Sequence, residues 1–93
     1  MEPIRFAATI RYWSPERASG LAVADVPDSA IPALGGLKQQ RVAGTLGGVD
    51  FSSNVMPAGG GHLAISVSRA MMKASGVAVG DKAAFEITRV GRD

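Results

Sequence analysis

Between residues 4 and 13 the chain alternates, with Ile4, Phe6, Ala8, Ile10 and Tyr12 on one parity and Arg5, Arg11 and Trp13 on the other. A period of two marks a half-buried strand. Pro15 and Gly20 then punctuate "SPERASG", and "LAVADV" (21–26) predicts a second strand. "PDSAIPALGG" (27–36) predicts one short helix that starts at Pro27–Asp28 and stops at Gly35–Gly36. Pro32 is tolerated there only near the first turn, because it has no N–H to donate. Residues 39–56 predict a β-hairpin around Gly47–Gly48, a pair free to take the positive φ of a primed turn. Val42, Leu46, Val49, Phe51 and Val55 supply its apolar faces. "PAGGG" (57–61) is a connection, and "HLAISV" (62–67) a further strand. "SRAMMKASG" (68–76) predicts a compact helix with Ser68 as N-cap and Gly76 as the residue that ends it. Met71 points inward, and Arg69 and Lys73 share the wet face. A turn at Gly80–Asp81 and a last strand with Ala83, Phe85 and Ile87 on one face complete the chain.

Many short strands joined by glycine turns argue a mainly β fold, a small barrel with two short helices closing its ends. A parallel sheet would need longer crossover helices. An offset of about 41 residues lays Gly20 on Gly61, Val26 on Val67, Gly35 on Gly76 and Ala43 on Ala84. Each half then reads strand, short helix ending in glycine, turn, strand. That pattern predicts two pseudo-symmetric halves.

Composition narrows the chemistry. Ninety-three residues predict one domain over 1–93. The apolar share is 46%, much of it alanine, so core side chains are small. With no cysteine and one histidine, neither a disulfide nor a thiolate nucleophile is available, and a zinc site is not expected. No cofactor is expected either. No apolar run reaches the roughly 18 residues a membrane helix needs. "MEPIRFAATIRYW" lacks the basic head and apolar run of a signal peptide, so a cytoplasmic location is expected. A net charge of +2 neither demands nor excludes nucleic acid.

"PAGGGHLAIS" leads into a strand and lacks the Gly-Lys-Ser/Thr ending of a phosphate loop, so its glycines read first as a turn. His62 has serines Ser52, Ser53, Ser66 and Ser68 as possible nucleophiles, but no G-x-S-x-G elbow exists. The acids are scattered at turns, where Asp bonds its own backbone. Arg11 and Trp13 share one face of the first strand, and an arginine beside an aromatic can hold an anion or stack on a base. Arginines on a solvated outer face have the same pattern.

"RVAGTLGGVDFSSNVMPAGGGHLAISVSRAMMKASGVAVGDKAAFEI" resembles the domain-of-unknown-function 1905 family. The resemblance rests on Val42-Ala43-Gly44-Thr45-Leu46-Gly47-Gly48, on Phe51 through Pro57, on Gly59-Gly60-Gly61, and on Gly76 through Gly80-Asp81. Val26–Pro27 and the first strand extend it over nearly the whole chain. It implies a double-split β-barrel whose halves are similar to swapped-hairpin, AbrB-like DNA-binding domains. Family members often stand beside a YdeI/OmpD-associated domain, and the family carries no established activity.

The leading expectation is a non-enzymatic binding module for an anionic small molecule or a protein partner. Its site would lie near the glycine-rich loop and the second helix, using Ser52, Asn54, Gly60, His62 and Arg69, with Arg11 and Trp13 as further binding residues. Catalytic and metal-ligating residues are not expected. The alternative is a DNA-binding regulator by analogy with swapped-hairpin folds, against which the acids Asp25 and Asp28 count. A hydrolase using His62 and a serine comes third. Either a monomer or a homodimer fits the pattern.

Overall fold

The computed structural model describes residues 3–14, 20–36 and 39–90. Six strands among them close into a barrel: β1 (Ile4–Tyr12), β2 (Ala22–Val26), β3 (Gln40–Leu46), β4 (Val49–Gly59), β5 (His62–Val67) and β6 (Lys82–Arg89). Around the barrel the order is β1-β2-β5-β4-β3-β6, and every pair is antiparallel. The alternation seen in the sequence becomes the pleat. Val42, Leu46, Val55, Leu63, Ile65, Phe85 and Ile87 point inward and are fully or almost fully buried. Phe85 stacks on Phe6 at 5.2 Å between ring centres and meets Phe51 edge-on at 6.3 Å.

Two short connections plug the barrel ends. Residues 28–34 do not form the single helix that the sequence predicts. They form two 3₁₀ turns, Asp28–Ala30 and Pro32–Leu34. Pro32 has no N–H to carry an α-helix through this point, so it starts a new turn instead. The plug buries Ala30 and Leu34, and a fully buried leucine contributes about 1.5–3 kcal/mol. At the other end α1 (Arg69–Ser75) begins at Ser68, whose hydroxyl accepts the Met71 N–H at 3.1 Å, and stops at Gly76 with φ +71°. Met71, Met72, Val77 and Val79 close that end over the core. The interruption at Pro15 lies outside the described residues.

Both glycine runs turn hairpins. Gly47 and Gly48 join β3 to β4 with φ +59° and +87°. The "GGG" run joins β4 to β5, with φ +84°, +61° and +82° at Gly59, Gly60 and Gly61. The sequence predicts a strand ending near Met56 and a separate connection at residues 57–61. The strand instead continues through Pro57, where the β4–β5 register shifts. A proline at an irregularity removes no regular ladder bond.

The ladders obey a two-fold relation. An offset of 41 residues carries Ala24 to Ile65, and these two face each other across β2–β5. The same offset carries Thr45 to Glu86, and these face each other across β3–β6. The first strand needs an offset of 45: Phe6 goes to Phe51 and Ile10 to Val55, which preserves their ladder partners in register. The two pseudo-symmetric halves are therefore β1–β2–β3 and β4–β5–β6.

Candidate functional site

β1 makes ladders on two sides, but not along the same residues. It pairs with β6 from Ile4 to Thr9 and with β2 only from Ile10 to Tyr12. Where β1 and β2 part, the barrel splits. A groove of about 740 Å³ opens there, walled by Ala7, Ala8 and Thr9 on one side and by Asp25 through Asp28 on the other, with Ala58 and His62 at its end. Such a volume is typical of a ligand site.

One ion pair and one His–Asp hydrogen bond lie along this groove. Arg11 stands diagonal to Asp25 across the β1–β2 ladder and binds it with two parallel bonds, Nε to Oδ2 and Nη2 to Oδ1, both 2.8 Å. Its remaining terminal nitrogen, Nη1, donates to the Tyr12 carbonyl at 3.2 Å. These bonds from Arg11 hold the Asp25 carboxyl below its ordinary value. Partial burial opposes the shift, and the charges of Arg11 and His62 reinforce it. The carboxylate raises the pKa of Arg11 in return. The second pair joins His62 Nδ1 to Asp28 Oδ1 at 3.0 Å. Both of its side chains stay largely exposed. The His62 ring lies beside Gly60, where an added Cβ would come within 3.4 Å of it.

The residues singled out from the sequence divide between two places. Arg11 and His62 share the groove, and Gly60 flanks it. Ser52 and Asn54 stand on the outer face of β4. Arg69 lies beyond the far end of β5, in a second concavity of about 300 Å³ with Tyr12, Leu21 and Met72. Gly60, His62 and Arg69 therefore do not form one cluster, because the glycine turn and α1 sit at opposite ends of β5. Trp13 follows the last residue of β1, about one third exposed, and its backbone N–H donates to the Leu21 carbonyl.

The two-fold relation explains this division. Arg69 is the counterpart of Asp28, Leu21 of His62, and Trp13 of the groove residue Ala58. Ser52 and Asn54 are the counterparts of Ala7 and Thr9. The single site that the sequence predicts thus falls on two equivalent positions of the fold.

The second split is not left in the same state. There the Ser53 hydroxyl donates to the Ser66 carbonyl, from β4 across to β5. At the first split the corresponding residues are Ala8 and Asp25, and Ala8 has no hydroxyl to make that bond. Among the described residues no group of three or more His, Asp or Glu side chains could hold a metal ion. No helix there is long and apolar enough to cross a membrane.

The chain is thus a closed antiparallel barrel built from two related halves, with a polar groove at one of its splits. The sequence model of a family described as a domain of unknown function (DUF1905) matches residues 6–87. The chain belongs to that family. None of the curated proteins matches it.

Proposed function

We propose that the protein is a non-enzymatic binding module and that its ligand, a protein partner, sits in the groove between β1 and β2. The observation that carries this reading is the groove itself, walled by small side chains and lined by two exposed acids, Asp25 and Asp28. An anionic ligand is less well served. Arg11 already spends Nε, Nη1 and Nη2 on Asp25 and Tyr12. Two carboxylates, Asp25 and Asp28, line the groove against the single guanidinium of Arg11.

The same acids oppose the DNA-binding reading drawn from AbrB-like folds, since phosphate contacts require clustered cations. The hydrolase reading lacks a partner for His62. Among the described residues its ring bonds to Asp28 and to no serine hydroxyl. Ser53 is engaged with Ser66, and the hydroxyl lining the groove is that of Thr9.

Amide NMR tests the placement. Mixtures of short peptides and of small anions serve as probes, followed by a duplex DNA at low salt. Peptides are expected to move Thr9, Asp25, Asp28 and His62, with no effect from the DNA. Shifts centred on Ser68–Met72, or binding by DNA alone, would contradict the reading.

A further inference from the structure

The partner's conformation follows from the free edge of β1, given that the groove is the binding site. Among the described residues, this strand has a neighbour on one side only from Ile4 to Thr9. Ile10 donates its N–H to the Asp81 carbonyl at 2.9 Å and accepts from the Gly80 N–H at 2.8 Å, so its peptide groups face the β6 side. Peptide groups alternate sides along an antiparallel strand. Those of Arg5 and Ala7 therefore face the groove, where β2 has already turned away.

A strand with unpaired N–H and C=O groups is a template for another chain. The side chains around the edge suit such a guest. Ala7, Ala8 and Ala58 are small and leave room for alternate side chains of an added strand. Arg5 is drawn to the opposite side by Glu86, at 3.0 Å, and does not cross the groove. Asp28 is 72% exposed and Asp25 54% exposed, so both carboxylates can take a further hydrogen-bond donor.

We propose that the Ile4–Thr9 edge of β1 accepts an extended polypeptide segment as an added strand, with a lysine or arginine of the segment placed against Asp25 and Asp28. Main-chain bonds supply the attachment, and the two carboxylates supply the preference for a basic segment.

The test pans a display library of random twelve-residue peptides against the whole protein. Selected peptides should alternate β-branched residues with lysine or arginine. One of them, made synthetically, should slow exchange of the Ala7 amide. Its affinity should fall at least tenfold against Ala7→Pro, which removes an N–H that faces the groove. It should fall as far when alternate residues of the peptide are N-methylated, a control that needs no altered protein. Asp28→Asn should weaken it several-fold. A selected peptide that moves Asp25, Asp28 and His62 but tolerates both Ala7→Pro and N-methylation overturns strand addition and leaves the groove reading standing. Peptides that map to Ser68–Met72 overturn both. A concentration-dependent dimer abolished by Ala7→Pro would put a second copy on this edge and overturn the foreign segment.

Discussion

The two halves of the barrel share their connections and differ at their splits. In the first half, Arg11 holds Asp25, His62 of the other half reaches Asp28, and the strands part beside Ala8. The counterparts are Met56, Ser66, Leu21, Arg69 and Ser53. Among the described residues neither of the first split's side-chain pairings recurs at the second, and a serine hydroxyl spans it instead. Most inward positions stay apolar in both halves, because the core depends on them, with Ser53 and Gln40 as polar exceptions. Outward positions are free to diverge, and the candidate site is made of them. A pseudo-symmetric fold thus carries an asymmetric surface.

The largest test of this comparison is internal. Gly44 and Phe85 are counterparts. An added Cβ at Gly44 would fall 1.7 Å from the Glu86 carbonyl oxygen, whereas Phe85 is almost fully buried between Phe6 and Phe51. Phe85→Ala should cost about 3–5 kcal/mol by denaturant unfolding. Gly44→Ala should cost about 3 kcal/mol, as overpacking at a backbone contact. If either change is neutral, the asymmetric packing described for the barrel centre is wrong.

A smaller effect belongs to Gln40, whose buried amide nitrogen and oxygen have no partner among the described residues. Unsatisfied buried groups cost about 1–3 kcal/mol, so Gln40→Leu should raise stability by about 1 kcal/mol.

The splits themselves give the sharpest pair. Ser53→Ala removes the bond to Ser66 and should cost about 1 kcal/mol. Ala8→Ser offers the first split the same hydroxyl. It should gain a few tenths of that and reduce access to the groove, read as weaker peptide binding. Opposite signs at both sites would break the proposed equivalence.

The acid dependence is the weakest effect. The pKa of Asp25 is lowered in the folded state, so its contribution is present above its unfolded value, near 3.8, and is lost as pH falls through the folded value. The pair is exposed and worth under about 1 kcal/mol. Asp25→Asn should flatten that part of the acid unfolding curve, measured by circular dichroism, and Ser66→Ala should not.

Alternation made β1, β3, β5 and β6 legible, and Ser68 and Gly76 bounded α1 in advance. The run of β4 through Pro57 was hidden, because proline normally ends a strand. The groove was hidden for another reason. Arg11 meets Asp25 only in one register of β1 on β2, and the connection between those strands does not encode it. His62 and Asp28 are far apart in sequence and meet only because β2 and β5 are neighbours. The 41-residue offset showed the repeat in the second and third strands. The different offset of the first strand concealed that Ala8 answers to Ser53.

Amide hydrogen exchange of the free protein tests the central claim most directly. Ala7 and Ser52 are counterparts whose N–H groups face the two splits. An open first split and a bridged second one predict that Ala7 exchanges measurably faster than Ser52, and that Ser53→Ala narrows the gap. Equal rates in the unaltered protein, or faster exchange at Ser52, would contradict the account.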